Sequence, residues 1–220
     1  MNVMRQPIPL PLPVVPAADL ADGLLMTVDL EKPILVQVEV WEAAKTGYYA
    51  QLVLNEELVG SIQTITETDQ PGDFLFFDLS EKLLTKDGPY KLAYRASSPF
   101  SMLHEMSGSV PLIVDRVRPG AALLAPIIFP SVTLGTSLTG TIPGYSGMAI
   151  GDVVRVLCND TAGPSIQVSA EHFESPIMIQ IEGSFLTGLG SAEVVVEYLI
   201  TDRAGNTSAK SHPISVTLQI

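Results

Sequence analysis

The chain has 220 residues, of which 46% are hydrophobic and only 16% are charged, so it is long enough for two ordinary globular domains with packed cores. Twelve basic residues against 24 acidic ones give a net charge of −12, which repels a phosphate backbone and argues against nucleic-acid binding. The single cysteine excludes an intrachain disulfide, and no apolar stretch approaches the length of a membrane span, so membrane insertion is not expected.

Residues 1–23 are predicted to form a Pro-rich extended arm. Prolines at positions 7, 9, 11, 13 and 16 alternate with Ile, Leu and Val, a pattern that disfavours helix and favours polyproline II. The prolines also interrupt any apolar core of a secretory signal, so the chain is expected to be cytoplasmic, exported by another route, or part of a longer protein. A spacer is the favoured interpretation of the arm, and a ligand for an aromatic groove is the alternative.

Residues 24–118 are predicted to form the first β-sandwich. Apolar and polar residues alternate with period two in short runs that predict strands at 34–40, 48–54, 74–79, 90–96 and 111–114. Residues 80–84 are the best helix candidate and are too few for more than one turn. Helical periodicity is weak elsewhere, which favours an all-β fold.

The stretch after Tyr94 places apolar residues in a predicted loop. Phe100, Met102, Leu103 and Met106 are candidates for a contact surface at one tip of the sandwich, where binding loops of such folds lie. The alternative is that these side chains pack against the neighbouring domain and stiffen the tandem.

Residues 119–220 are predicted to form a second β-sandwich that repeats the first. Strand patterns recur at 132–138, 152–158, 177–181, 194–200 and 214–218. Three landmarks recur at a shift of 104 residues: Trp41 and Tyr145, Asn55 and Asn159, and Tyr94 and Tyr198. A long-period repeat of this kind predicts two copies of one fold.

The end of the second copy carries the pattern Y-x-x-x-D-x-A-G-N, filled by Tyr198, Asp202, Ala204, Gly205 and Asn206. This pattern resembles the end of each domain in bacterial tandem Ig-like repeats, the Big and cadherin-like β-sandwiches of surface and secreted proteins. The resemblance implies two tandem Ig-like antiparallel β-sandwiches behind the Pro-rich arm. It also implies a role as a stalk, an adhesin or an accessory module. The first copy lacks the D-x-A-G-N turn.

No pattern for catalysis or cofactor binding occurs in the chain. There is no complete G-x-S-x-G turn, no phosphate-binding glycine loop, and no zinc-type spacing among the three histidines. Cys158 corresponds to Leu54 of the first copy and is predicted to be a buried core thiol. The sequence therefore predicts a protein that is not an enzyme and holds no cofactor.

Calcium is the one cation for which the chain offers candidate ligands. Asp152, Asn159, Asp160 and Asp202 lie in predicted turns, where hard cations find carboxylate and carbonyl oxygens. Turn formation and solubility are the favoured roles of the same residues, because no dense cluster of Asp and Asn is present.

The sequence thus favours a non-enzymatic binding, adhesion or spacer module that engages a protein partner. A cell-surface or secreted location, reached without a signal peptide, is favoured. The first alternative is an intracellular accessory protein, such as a chaperone or a carrier for a secreted toxin or effector. The second alternative, a carbohydrate-binding module, is less expected because aromatic residues are only 6% of the chain and Trp41 is its sole tryptophan.

Overall fold

The computed structural model describes residues 9–101, 103–130, 136–173 and 175–217. In these residues the protein is almost entirely antiparallel β structure, as predicted. The chain divides into two compact units, Met1–Arg116 and Val117–Ile220.

The first unit is a β-sandwich with two sheets. Its strands are β1 (Ile34–Glu39), β2 (Tyr49–Leu54), β3 (Glu57–Thr64), β4 (Phe74–Leu79), β5 (Gly88–Ser97), β6 (His104–Met106) and β7 (Val110–Val114). One sheet pairs β1 with β4, and the other has the order β3-β2-β5-β6, with β7 also paired to β5. Two short 3-10 helices accompany the strands: Thr27–Glu31 precedes β1, and Glu81–Leu83 lies between β4 and β5, where a single helical turn is predicted.

Alternation of side chains builds the core of this unit. Val36 and Val38 of β1 are buried, whereas Leu35 and Glu39 are exposed, as period-two alternation requires. Tyr94 of β5 is fully buried and contributes to the same apolar core as β1. The core therefore lies between the inward faces of the two sheets.

Two strands of the first unit, β3 and β6, are absent from the sequence prediction. The β2–β3 hairpin turns at Asn55 and Glu56, whose φ angles are 49° and 72°. Positive φ at both central residues is the signature of a type I′ turn, which matches the twist of the flanking strands. Asn55 occupies its position because asparagine tolerates left-handed backbone better than most residues do.

The Pro-rich segment is extended over its described part and lies against the first sandwich. Val14 and Gln37 of β1 exchange two backbone hydrogen bonds, both 2.8 Å long. Leu10 and Val15 are buried in the first core. Residues 9–16 thus extend the sandwich and are not a free spacer, because Leu10 and Val15 pack into its core.

The second unit repeats the two-sheet arrangement. Its elements are β8 (Ser137–Ile142), β9 (Val153–Cys158), β10 (Thr161–Gln167), β11 (Ile177–Glu182), α1 (Gly183–Gly188), β12 (Glu193–Thr201) and β13 (Ile214–Thr217), with a 3-10 turn at Ala170–Phe173. One sheet pairs β8 with β11, and the other has the order β10-β9-β12-β13. Most of the strand predicted at 132–138 falls outside the described residues.

Hydrogen bonds repeat between the units at the 104-residue shift. The Tyr94 N–H donates to Ser107 Oγ, and the Tyr198 N–H donates to Ser211 Oγ, each at 3.0 Å. The Lys91 N–H donates to Asn55 Oδ1 at 2.9 Å, and the Val195 N–H donates to Asn159 Oδ1 at 2.8 Å. The predicted repeat is therefore confirmed at the level of individual side chains that bind backbone groups.

The D-x-A-G-N stretch forms a turn that is closed by its own hydrogen bonds. The Asn206 N–H donates to Asp202 Oδ1 at 2.8 Å, and Asn206 Nδ2 donates to Asp202 Oδ2 at 2.9 Å. Gly205 has a φ of 88°, which favours glycine at that position. Ala204 is buried, so the turn folds back on its own unit.

Cys158 is buried in the second core, as predicted. Burial raises the pKa of its thiol to about 11. A thiol in this environment stays protonated and packs as a small apolar group.

Candidate functional site

The apolar stretch of the first unit forms the hairpin loop between β5 and β6. We call residues 98–103 the tip loop. The Ser98 N–H donates to the Leu103 carbonyl at 3.4 Å and closes the loop, while the Phe100 N–H donates to Ser98 Oγ at 3.2 Å. Phe100 is 81% exposed and Leu103 is 77% exposed. Met102 lies outside the described residues.

Strand pairing separates Met106 from the other candidates. Met106 pairs with Arg95, whereas Glu105 pairs with the buried Ala96 and therefore lies on the core side of β6. Met106 is 47% exposed, so it belongs to the outer face of this sheet edge. The structure thus brings Phe100 and Leu103 into one loop and sets Met106 apart.

Two neighbouring cavities lie beside the tip loop, and we call them together the tip cleft. The larger cavity has a volume of about 1150 Å³ and the smaller one about 390 Å³. Both are lined by Trp41, Tyr48 and Glu105. Leu103 and His104 line the smaller cavity, which joins the tip loop to the cleft.

The larger cavity brings together residues from several parts of the first unit. Its polar and charged lining includes Glu39, Glu42 and Lys45, and Pro9 and Pro11 of the Pro-rich segment form another part of its wall. The extended N-terminal segment therefore has a structural role at this site, because it supplies a rigid apolar side of the cleft.

Backbone hydrogen bonds fix the segment that carries Trp41 and Tyr48. The Val40 N–H donates to the Asp73 carbonyl at 2.8 Å, at one end of this segment. At the other end, the Ile65 N–H donates to the Tyr48 carbonyl at 2.7 Å. Because both ends are held by neighbouring chain segments, the aromatic lining is preorganised.

A buried tyrosine lies beneath the cleft. The rings of Trp41 and Tyr94 are 6.4 Å apart between centroids and are tilted by 35°. The Tyr94 hydroxyl is buried and has no hydrogen-bond partner among the described residues. Burial raises the pKa of Tyr94, and the carboxylates of Glu39 and Glu105 raise it further. These two glutamates line the larger cavity, whereas Tyr94 is not among the lining residues of either cavity.

The second unit carries different residues at the equivalent positions. Tyr145 corresponds to Trp41 and Asp152 corresponds to Tyr48 at the shift of 104. The Tyr145 hydroxyl donates to Asp152 Oδ2 at 2.7 Å, and the Ala149 N–H donates to the same oxygen at 3.0 Å. Burial and this hydrogen bond raise the pKa of Tyr145. In the second unit a hydrogen-bonded pair, half-buried Tyr145 and buried Asp152, thus occupies the place of the cleft aromatics.

Two of the calcium candidates, Asp152 and Asp202, lie at one end of their sheet. They flank the paired residues Val153 and Thr201 of β9 and β12. Asp152 is 1% exposed, and its Oδ1 has no hydrogen-bond partner among the described residues. Both carboxylate oxygens of Asp202 accept hydrogen bonds from Asn206.

The other two candidates, Asn159 and Asp160, form the turn between β9 and β10 at the opposite end of β9. Their φ angles are 48° and 62°, which repeats the type I′ turn of the first unit. Asp160 forms an ion pair with Lys210. Within the described ranges, no group of three or more His, Cys, Asp or Glu side chains has an arrangement that could hold a metal ion. Turn formation stays the favoured role of these four residues, and calcium binding stays the alternative.

The cleft residues are absent from the sequence-based candidates. Trp41, Tyr48 and Glu105 are far apart in the chain, and no motif joins them. A comparison of the two copies could have identified the cleft residues. Trp41 and Tyr48 of the first copy correspond to Tyr145 and Asp152 of the second, so the copies differ at these positions.

Comparison with known proteins identifies the fold. No protein-family model and no curated protein matches the chain. Among solved structures, the chain is similar to the fibronectin(III)-like modules of Clostridium thermocellum CbhA, with a TM-score of 0.50 and 15% identity over 94% of this chain and 92% of that chain. The fold is thus shared with fibronectin-III-like and Ig-like β-sandwiches.

Two further structures show weaker similarity. A 1.5-MDa bacterial ice-binding adhesin matches with a TM-score of 0.48 and 17% identity over 92% of this chain and 63% of that chain. The chicken CNTN1 FN1–FN3 domains match with a TM-score of 0.40 and 11% identity over 95% of this chain and 66% of that chain. In the described part of the chain, no helix has the length and apolar character needed to cross a membrane.

Proposed function

We propose that the chain is a non-enzymatic tandem β-sandwich module that binds a protein partner through the tip loop and tip cleft of its first unit. The observation that carries this proposal is the exposure of Phe100 and Leu103 beside a cleft lined by Trp41 and Tyr48. Protein interfaces are enriched in aromatic residues at their centres, and loops on a rigid sandwich are a common place for binding residues.

The chemistry of the cleft supports binding over catalysis. Ser97, Ser98, Ser101 and His104 line the smaller cavity, but no hydrogen bond joins His104 to any of these serines in the described residues. A serine nucleophile needs such a contact with its base. The Ser98 hydroxyl is instead an acceptor that holds the tip loop closed.

The proposed setting is the cell surface or the secreted fraction, where tandem β-sandwiches are often assembled as adhesive or spacer modules. The fold alone does not decide this, because one fold hosts many functions. The Tyr198–Asn206 motif resembles the corresponding stretch of bacterial Ig-like repeats. We propose from this resemblance that the chain belongs to that family and is located at the cell surface or secreted.

The experiment is affinity capture from cell lysate and from cell envelope of the source organism. It compares the wild type with a Phe100→Ser, Leu103→Ser double variant and with Ile150→Ser, which removes an exposed apolar side chain from the second unit. Tryptophan fluorescence and thermal unfolding establish that each variant is folded. We expect the wild type and the Ile150 variant to retain one protein that the loop variant loses. Equal capture by all three would contradict the proposed site.

A further inference from the structure

The tip cleft has an excess of negative charge. Glu39, Glu42 and Glu105 line the larger cavity, and Lys45 is the only cation among its described lining residues. All three glutamates are exposed side chains at the mouth of the cavity. An anionic ligand is therefore repelled, and a cation entering the cleft meets carboxylates on more than one side.

The aromatic residues of the cleft favour the same kind of ligand. Both cavities are lined by Trp41, which is 7% exposed, and by half-buried Tyr48, and the faces of aromatic rings attract cations. Tryptophan gives the strongest attraction of this type, and Arg is its most frequent cationic partner in proteins. A lining that combines aromatic residues with carboxylates is thus chemically suited to an ammonium or guanidinium group.

The Tyr94 hydroxyl is an independent sign of a ligand at this place. It is buried, it lacks a hydrogen-bond partner in the described residues, and its ring lies against that of Trp41, which lines both cavities. A buried polar group without a partner costs stability, and such groups in native proteins call for an explanation. A ligand donor that reaches the floor of the cleft would give this hydroxyl a partner.

We propose that the tip cleft binds a lysine or arginine side chain from an extended, basic and apolar segment of the protein partner. This inference rests on the proposed function, since it specifies the chemistry of the partner at the same site. The cationic group lies between Trp41 and the carboxylates of Glu42 and Glu105, and its N–H groups donate to these carboxylates. Apolar neighbours of the cation pack against Phe100 and Leu103.

Other occupants fit the lining less well. A purely apolar segment would cover the three carboxylates and leave them desolvated without a partner, which is costly. A metal ion needs several convergent ligands, and the described residues contain no such group. The basic and apolar segment is the occupant that satisfies both the charge of the cleft and the exposed tip loop.

The test uses the full chain and a short peptide that carries one arginine between valines. The matched control is the same peptide with citrulline, which keeps the shape of arginine and removes its charge. Trp41 is the only tryptophan in the chain, so its fluorescence reports the cleft directly. The indole N–H signal of Trp41 in NMR spectra provides a second readout where fluorescence does not change.

Charge-neutralising variants identify the residues involved. Glu42→Gln and Glu105→Gln each remove one carboxylate from the cleft, and Glu57→Gln removes an exposed carboxylate of β3 that does not line it. We expect saturable binding of the arginine peptide, weakened roughly fivefold by each cleft variant and unchanged by Glu57→Gln, with further weakening at high salt. Equal binding of the citrulline peptide, or equal affinity of all three variants, would overturn the inference.

The outcomes separate this inference from the proposed function. If the double loop variant loses a captured partner but the arginine peptide does not bind the wild type, the proposed function stands and the cationic ligand is wrong. If the arginine peptide binds with an affinity that the cleft variants lower, but the double loop variant captures the same proteins as the wild type, the cationic ligand stands and the proposed function is wrong.

Discussion

Alanine at position 55 tests how the repeated hairpin stabilises the first unit. Asn55 has a φ of 49°, and its Oδ1 accepts a hydrogen bond from the Lys91 N–H at 2.9 Å. A left-handed backbone costs an ordinary L-residue about 1–2 kcal/mol, and an exposed hydrogen bond of this kind contributes about 0.5 kcal/mol. We therefore expect Asn55→Ala to lower the free energy of unfolding of the first unit by about 1.5–2.5 kcal/mol.

Glycine at the same position separates the two contributions. Asn55→Gly loses the hydrogen bond from the Lys91 N–H but adopts positive φ without strain. Its expected cost is about 0.5–1 kcal/mol, which includes the larger backbone entropy of glycine in the unfolded chain. The difference between the alanine and glycine variants is then a measure of the conformational cost alone.

The chain provides a separate probe for each unit. Trp41 is the sole tryptophan and lies in the first core, whereas Cys158 is the sole cysteine and is buried in the second. Urea unfolding followed by tryptophan fluorescence reports the first unit, and thiol reactivity reports the second. The matched variant Asn159→Ala should lower the second transition by a similar amount. A free energy of unfolding of Asn55→Ala within about 0.5 kcal/mol of the wild type, or equal destabilisation by glycine and alanine, would contradict a conformational cost at this position.

Four further predictions follow from the packing and the titrating groups. Gly23→Ala should destabilise the first unit by about 3 kcal/mol or more in urea unfolding, because a Cβ there would lie 2.2 Å from the Pro111 carbonyl oxygen at a φ of +82°. Asp152→Ala should cost the second unit about 2–4 kcal/mol because it leaves the Tyr145 hydroxyl without its acceptor, whereas Asp152→Asn should cost less than half as much in the same assay. Burial raises the pKa of Cys158 from 9.0 to about 11, so its thiol contributes stability that is full below pH 9.0 and falls by about 1 kcal/mol per pH unit as pH rises toward 11. Because burial also raises the pKa values of Tyr94, Tyr145 and Tyr198 from 10.0, Cys158→Ala should remove only the fall that begins near pH 9.0, as unfolding at several pH values would show. We expect equal thermal unfolding midpoints in calcium and in chelator, and a calcium-dependent rise would establish a site.

Strand alternation accounts for the part of the fold that was predicted from sequence. β1 and β11 alternate buried and exposed side chains along their lengths, so the pattern alone places both strands. β3 and β10 were missed for a physical reason, since they are edge strands with little buried surface. β10 also contains the dipeptide Gly163-Pro164 at a register shift. A Gly-Pro pair predicts the end of a strand, but an edge strand tolerates it because its outer N–H groups need no partner strand.

The tip loop can be predicted from the local sequence, whereas the tip cleft cannot. The tip loop was predicted because Phe100 and Leu103 are apolar residues in a stretch without strand alternation, which is a local signal. The cleft was not predicted, because pairing of β5 with β6 brings Glu105 to the end of the sandwich that carries Trp41. Such contacts depend on strand register, which a single sequence specifies only through the completed fold.

The two units differ in a way that bears on where function lies. Both keep the Asn and Ser side chains that bind backbone groups, because loss of either would leave strand N–H groups without partners. Each unit has buried polar atoms without a partner among the described residues: the Tyr94 hydroxyl and Arg95 Nε in the first, and Asp152 Oδ1 in the second. Each such atom costs on the order of 1–3 kcal/mol, so unpaired atoms do not distinguish the units. At the tip, however, the second unit joins half-buried Tyr145 to buried Asp152 by a hydrogen bond, whereas the first unit has Trp41 and Tyr48 at the equivalent positions, where both line a cavity. The second unit therefore satisfies its tip residues internally, whereas the first presents aromatic residues at a cleft, which is the pattern expected when a site is shaped for a ligand and not for the fold alone.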